Sequence, residues 1–139
     1  MRILAIDHGA KRMGLAISDE LKMIAQPLEF FPARPFHHFV SRLEELLSEK
    51  EVELILVGMP RSMNGNYGEA ALKVEEFVDA LKSAVAVPIR TWDERLTSAQ
   101  ANRILIQGQV RREKRKQNVD KMAAAILLQS YLDRLTEES

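Results

Sequence analysis

Four carboxylate residues stand where predicted strands or helices begin or end. Asp7 closes the apolar run RILAID, Asp93 and Glu94 lie at the end of the short run VPIRTWD, and Asp120 opens the last predicted helix. An ionised carboxylate is costly to bury unless it is paired, neutralised or bound to a metal. Asp7 is the hardest of the four to explain by structure alone, because its neighbours in sequence are typical interior residues.

These carboxylates can converge in an α/β sheet. If the first, fourth and fifth strands are neighbours, their carboxyl ends meet at one edge, and the first turn of a helix packed on the sheet can reach that place. Clustered carboxylates repel one another and need protons or cations, and their oxygen atoms suit Mg²⁺ or Mn²⁺. A cage of this kind with open metal positions is what two-metal phosphodiester hydrolysis requires.

Structural roles compete with this interpretation. Asp120 could simply cap the last helix, where an acidic side chain suits the helix dipole. Asp93 or Glu94 could cap a helix that begins near Thr97, or pair with Arg95. Only Asp7 favours a functional role when it is considered by itself.

The elements that must position these residues follow from hydrophobic periodicity and turn signals. The predicted order is β-β-β-α-β-α-β-α-α, with a short hairpin after Asp7 and a strongly basic loop, GQVRREKRKQN, before the last helix. The apolar run VELILVGMP predicts a buried strand, EAALKVEEFVDALKSA predicts an amphipathic helix, and SAQANRILIQ predicts a further helix. Three strands in succession, followed by strands that alternate with helices, indicate a five-stranded mixed sheet. We therefore predict one α/β domain over residues 1–139, with three antiparallel strands, then parallel strands, and flanking helices.

Composition limits the classes of function. The chain has 139 residues, formal net charge zero and no cysteine, which excludes disulfides and thiolate metal sites. A neutral chain does not attract nucleic acid as a whole, so such binding must come from local patches. There is no signal-peptide pattern and no apolar run long enough to span a membrane, so a soluble cytoplasmic protein is expected.

One local patch is strongly basic. A charge run is usually a solvated surface, but this one leads directly into Asp120 and could deliver a phosphate backbone to the carboxylates. Glycines at positions 65 and 68 lie in a polar loop that lacks the Gly-Lys-Ser/Thr ending of a phosphate-binding P-loop. The candidate nucleic-acid-binding residues are Lys11, Arg12, Arg61, Arg111, Arg112, Lys114, Arg115 and Lys116.

Four segments together resemble the motif blocks of the YqgF/RuvX family. They are AIDHGAKRMGLAISD, VGMPRSMNGNYGEAA, TWDERLTSAQA and KRKQNVDKMAAAILLQSYL, and they occur in the order found in that family. The resemblance extends from residue 2 to about residue 135. The family consists of Holliday junction resolvase-like proteins that are also assigned as pre-16S rRNA nucleases.

The resemblance implies a ribonuclease H-like fold and a metal-dependent nuclease that acts in 5′-end maturation of 16S ribosomal RNA. It also implies that Asp7, Glu94 and Asp120 are catalytic metal ligands for Mg²⁺ or Mn²⁺, with Asp93 as a further candidate. Where resolvase relatives carry a glutamate at the end of the fourth strand, this chain has VGMP, so Glu94 is the natural replacement. The expected partner is precursor ribosomal RNA, bound by a monomer or weak homodimer.

Other functions remain open at this point. One is a Holliday junction resolvase-like DNA nuclease, and another is a nucleic-acid-binding protein without catalysis. A nucleotide-binding fragment of the actin/Hsp70 type shares the Asp-x-Gly hairpin and the sheet order, but it needs a second lobe that 139 residues cannot supply.

Overall fold

The structure is a computed structural model that describes residues 1–9, 11–60, 68–93 and 112–138, and in the last segment the side chains of residues 122–136. Five strands form one sheet in the order β3-β2-β1-β4-β5. The strands are β1 (Arg2–Asp7), β2 (Arg12–Ser18), β3 (Ala25–Pro32), β4 (Val52–Met59) and β5 (Ile89–Asp93). The helices within the described residues are α1 (Phe36–Glu49), α2 (Glu69–Ala84) and α3 (Arg112–Glu138).

The sheet is mixed, as the sequence predicts. Strands β1, β2 and β3 pair antiparallel, whereas β1, β4 and β5 pair parallel. The two strands at the centre, β1 and β4, are near-continuous apolar runs, because helices cover both of their faces. The carboxyl ends of β1, β4 and β5 therefore meet at one edge of the sheet.

Large apolar side chains fill the face covered by α1 and α2. Phe39, Leu43 and Leu46 recur at helical spacing along α1 and are buried against Leu4 and Ile6 of β1. The α2 helix begins and ends where its sequence pattern predicts, and its buried residues join the same core. This face carries most of the apolar volume that stabilises the fold.

Small side chains mark the opposite face, which α3 covers. Ala124 and Ala125 of α3 pack against Ala5 and Ala16 of the sheet, together with leucines and Tyr131 further along the helix. Gln129 also attaches α3 to the start of β3 and to the turn before it. The amide group of Gln129 accepts a hydrogen bond from the backbone N–H of Ala25 (2.8 Å) and donates one to the carbonyl oxygen of Met23 (3.0 Å).

The last helix begins earlier than the sequence predicts. The basic run was expected to be a loop as far as Asn118, but the backbone is helical from Arg112 onward. Lysine, arginine, glutamate and glutamine are good helix formers, and without an apolar stripe their helix has no visible period. The predicted helix over SAQANRILIQ lies outside the described residues.

Candidate active site

Asp7 lies at the carboxyl end of the central strand β1, in a row of residues that crosses all five strands. Its antiparallel partner in β2 is Gly14, which in turn pairs with Phe30 of β3. On the other side, Ile6 of β1 pairs with Val57 of β4, so the next residue of β4, Gly58, lies beside Asp7. Gly58 in turn pairs with Trp92 of β5. The half-buried carboxylate therefore stands between two glycines.

The row faces α3. Successive side chains of a strand point to opposite faces, and Ile3 and Ala5 of β1 belong to the cluster that packs on α3, so Asp7 continues their side. A Cβ atom added to Gly14 would lie 3.7 Å from the Cβ of Asp7 and 3.3 Å from the Phe30 ring. Glycine at this position thus lets the Phe30 ring lie close to the strand beside Asp7, as is typical where another group approaches a sheet closely.

Sequence reasoning missed these two glycines. Gly14 and Gly58 each interrupt an apolar strand, and a glycine inside a strand is a recognised signal of close approach. Their relation to Asp7, however, depends on strand order and register, which no single strand reveals.

Asp93 ends β5 opposite Met59 of β4. It alternates with Trp92, whose indole N–H donates a hydrogen bond to Oγ of Ser130 on α3 (3.2 Å), so Asp93 belongs to the face covered by α1 and α2. Two strand spacings separate β1 from β5, which is about 10 Å. Asp7 and Asp93 therefore share the carboxyl end of the sheet but alternate to different faces.

For several predicted site residues the structure describes only the backbone, or they lie outside the described residues. Glu94, Arg61 and Arg111 lie outside the described residues. Asp120 has a described backbone only, and it lies well inside α3 rather than at its start. The prediction that it begins the last helix was wrong, because the helix extends through the basic run. Capping of the helix start is thereby excluded as the role of Asp120.

The basic residues before Asp120 also have a described backbone only. The helical backbone of α3 includes Arg112, Lys114, Arg115 and Lys116.

Lys11 and Arg12 are described, and both are exposed at the Asp7 end of the sheet. Arg12 precedes Gly14 by two residues and so shares its face. The guanidinium of Arg12 lies over the Phe30 ring, 4.9 Å from its centroid. A cation–π contact of this type orients the charge without neutralising it.

The donor set suits a hard divalent cation. Asp7, Glu94 and Asp120 offer only carboxylate oxygens, which is the ligand type that Mg²⁺ and Mn²⁺ prefer. Among side chains that the structure describes, no three His, Cys, Asp or Glu residues are grouped to hold a metal ion. Two of the three predicted ligands are not among those side chains.

His8, the residue after Asp7, faces a different environment. Its ring is tilted against Phe77 of α2 with centroids 5.0 Å apart. Burial, and secondarily the charge of Lys73, lower the pKa of His8 below its ordinary value of 6.5, which favours the neutral imidazole. His8 borders a cleft between α2 and the loop that follows β1.

None of the helices searched, which comprise described residues only, combines the length and the apolar character needed to cross a bilayer.

Comparison with known proteins assigns the chain to a family. The family model described as "RuvX: Holliday junction resolvase" matches residues 1–134. A relative from Desulforamulus reducens, named "Putative pre-16S rRNA nuclease", is 47% identical over 133 residues, which cover 96% of this chain and 97% of the relative. A relative of the same name from Halothermothrix orenii is 43% identical, and the match covers 96% of this chain and 95% of that protein.

Solved structures agree on the fold. Thermus thermophilus RuvC in complex with a Holliday junction substrate superposes with a TM-score of 0.66 at 17% identity, covering 100% of this chain and 97% of the other. The fowlpox virus Holliday junction resolvase gives 0.55 at 16% identity, covering 96% and 99%. The expected ribonuclease H-like architecture is confirmed. The chain belongs to the RuvX family, a family of nucleases that hydrolyse phosphodiester bonds.

Proposed function

We propose that this protein is a divalent-metal-dependent ribonuclease that matures the 5′ end of precursor 16S ribosomal RNA in the cytoplasm, as a monomer or weak homodimer. One observation carries the proposal: a half-buried carboxylate, Asp7, stands between two glycines at the carboxyl end of the central strand. Open α/β sheets place their active sites at this end. The name of the curated relatives supports the choice of RNA.

Asp7, Glu94 and Asp120 are the proposed metal ligands, with Asp93 as a further candidate. Glu94 is the next residue in sequence after β5, whose Trp92 lies on the α3 face with Asp7. The intervening strand carries Gly58 in that row, so no side chain separates the end of β1 from the end of β5. Asp120 precedes the buried Ala124 by one helical turn on the helix that covers the same face.

A metal pair bound to these oxygens would supply water activation and stabilisation of the leaving oxygen. The chain itself supplies position. Pairing with Gly14 of β2 fixes the backbone of Asp7, and Gly58 on the β4 side adds no side chain where a phosphate would lie. Arg12, held over Phe30 on the same face, offers a cation to that phosphate.

The basic start of α3 is the proposed path for the phosphate backbone, together with Lys11, Arg61 and Arg111. Lys116, Asp120 and Ala124 are spaced by four residues, which brings a cation and the proposed ligand to one side of the helix. Replacing Arg112, Lys114 and Arg115 by glutamine should weaken RNA binding. The slope of log affinity against log salt should become shallower by roughly two to three. An unchanged slope would show that this segment does not contact phosphate.

Cleavage assays test the function directly. Purified protein with Mg²⁺ or Mn²⁺ is incubated with end-labelled substrates: an RNA with a 16S-type 5′ extension, a four-way DNA junction, and single strands of each kind. We expect metal-dependent cleavage of the RNA near the mature 5′ end. Cleavage of the junction alone would favour the second candidate, a resolvase-like DNA nuclease, which the family description supports. Binding without cleavage of any substrate would favour a non-catalytic protein.

A further inference from the structure

A cleft of about 320 Å³ opens at the carboxyl end of the sheet, on the face covered by α1 and α2. Three parts of the chain enclose it: the residues that follow β1, the approach to α1, and the middle of α2. Its lining includes His8, Arg34, Phe36, Lys73, Glu76 and Phe77. None of the residues proposed as metal ligands or as phosphate-binding cations lines this cleft.

Aromatic rings form the interior. His8 lies 5.0 Å from Phe77 at an interplanar angle of 54°, and Phe36 meets Phe77 edge-on at 6.1 Å. The floor is apolar, because Met13 and Ala33 are buried there. Phe77 is buried, whereas the rings of His8 and Phe36 remain half-exposed and offer stacking surfaces for a flat heterocycle.

The rim is polar and mainly cationic. Arg34, which precedes α1, and Lys73 of α2 are exposed lining residues, and Glu76 lies one turn after Lys73 on α2. Two cations suit a phosphate group at the entrance. A carboxylate beside them can accept a hydrogen bond from a ring or exocyclic N–H of a base.

We propose that this cleft binds one unpaired nucleotide of the RNA substrate, next to the phosphate that is cleaved. The base stacks on His8 and Phe36, which the buried Phe77 supports, and its phosphate meets Arg34 and Lys73. His8 directly follows Asp7, so their Cα atoms are about 3.8 Å apart. Their side chains lie on opposite faces of the sheet, and a strand of RNA that passes around the carboxyl end of β1 would meet both. This inference rests on the proposed nuclease function and adds a requirement to it.

The requirement is that the nucleotide be single-stranded. A base inside a helix is stacked and paired, and only a base turned out of the stack can enter a cleft between side chains. The cleft therefore favours cleavage beside an unpaired position over cleavage inside a continuous duplex.

Binding measurements without catalysis test the cleft. The probe is a fluorescent single-stranded RNA oligonucleotide, titrated with protein in the presence of EDTA at several salt concentrations. Lys73→Gln should weaken binding several-fold and make the salt slope shallower by about one. Phe36→Leu should weaken binding roughly five-fold or more through lost stacking. The matched control is Lys82→Gln, also exposed on α2 but outside the cleft lining, and it should bind like wild type.

Two readouts locate the effect. An RNA duplex of the same sequence should lose no more affinity with Phe36→Leu than with Lys82→Gln. Amide NMR signals of His8, Gly9 and Phe77 should shift on addition of a single-stranded dinucleotide. Equal losses for duplex and single strand, or shifts confined to other residues, would overturn the proposal. So would equal affinities for Lys73→Gln and Lys82→Gln.

Failure of the cleft and failure of the proposed function give different results. If Asp7→Asn leaves cleavage intact, the assigned catalytic site is wrong, whatever the cleft binds. If Asp7→Asn abolishes cleavage while Lys73→Gln and Phe36→Leu bind single-stranded RNA normally, the nuclease proposal stands and the cleft proposal falls.

Discussion

The two faces of the sheet bury side chains of different size. On the face covered by α1 and α2, Leu4 and Ile6 of β1 meet Phe39, Leu43 and their neighbours. On the face covered by α3, Ala5 and Ala16 meet Ala124 and Ala125, and in the row of Asp7 two of the five residues are glycine. Both faces exclude water along most of their length. At the carboxyl end they differ, because the first face opens into the cleft lined by aromatic rings and the second carries the glycines beside Asp7.

The difference assigns separate tasks to the faces. Large residues stabilise the fold through buried apolar area, which contributes roughly 25 cal/mol per Å². Alanines let α3 approach the strands, and glycines beside Asp7 keep its carboxylate accessible. We therefore expect substitutions on the α3 face near Asp7 to change activity with little effect on stability, and substitutions in the opposite core to do the reverse.

The largest expected effect is that of Asp7→Asn. The substitution keeps the shape of the side chain and removes one anionic ligand, so cleavage should fall to background. Without metal, the variant should be at least as stable as wild type, since like charges at short range are mutually destabilising. Metal that binds only the folded state raises stability by mass action, about 2.7 kcal/mol at a concentration 100 times Kd.

Thermal melts with and without Mn²⁺ measure this. Wild type should gain several degrees in Tm with Mn²⁺, and Asp7→Asn should gain much less. An apo Tm lowered by several degrees, together with an undiminished Mn²⁺ shift, would mean that Asp7 has a structural role and binds no metal.

Gly58→Ala should have the next largest effect. It places a methyl group in the row between the ends of β1 and β5, where the proposed ligands must meet. A misplacement of about 1 Å in a catalytic group costs up to about 100-fold in rate, so kcat should fall by roughly 10- to 100-fold. Stability should be equal or higher, because alanine loses less backbone entropy than glycine.

Gly68→Ala is the matched control, since a Cβ atom at Gly68 meets nothing within 4 Å. Initial rates at saturating substrate and urea midpoints are measured for both variants. If the Gly58→Ala protein has the kcat of wild type, the glycine at this position is not needed for the active site.

Leu43→Ala tests the opposite face. Leu43 of α1 is 0% exposed in the core between the helices and the sheet. Its replacement by alanine should lower the free energy of unfolding by about 2–5 kcal/mol. Activity per folded molecule should be unchanged, because the residue lies on the far side of the sheet from Asp7. Leu72→Ala is the control, since Leu72 is 56% exposed on α2 and should change stability by roughly 0.5 kcal/mol or less.

Urea denaturation and initial rates below the transition report the two quantities separately. If kcat falls in proportion to stability, the two faces are coupled and the division of tasks is wrong.

Much of this fold could be predicted from sequence because its elements have clear periods. The apolar runs RILAID and VELILVGM are long enough for buried strands, and the i, i+4, i+7 pattern of α1 is unambiguous. Helix α2 carries the same type of signal and was predicted to the residue. The mixed sheet followed from element order alone.

The start of α3 could not be predicted from periodicity, because Arg112 to Asn118 offers no apolar residue to mark a face. At the site, Asp7 was recognisable because a carboxylate ending an interior strand is unusual. The glycine neighbours of Asp7 and the cleft at His8 were not recognisable from sequence, because each depends on how separate segments meet in three dimensions.

The smallest expected effect comes from a second aspartate, at the other end of the sheet. Asp19 follows β2 near the amino end of β1, and its Oδ1 accepts hydrogen bonds from the backbone N–H groups of Met23 (2.7 Å) and Ile24 (3.0 Å). These two hydrogen bonds lower the pKa of Asp19 below its ordinary value of 3.8, and the bond from Ile24 has the larger effect. The carboxylate therefore has a structural role, in contrast to that proposed for Asp7.

Asp19→Asn should keep full activity and lose a little stability at neutral pH. A folded-state pKa below the unfolded value contributes stability that is present above the unfolded pKa and is lost as pH falls through the folded pKa. Wild type should thus melt slightly above the variant at pH 7, and the difference should shrink as the pH falls below about 4. Since Asp19 is only half-buried, solvent screening keeps the difference small. Melts from pH 3 to pH 7, with cleavage rates at pH 7, measure both quantities. Lost activity at unchanged stability would place a catalytic carboxylate at each end of the sheet, and the contrast between Asp7 and Asp19 would no longer hold.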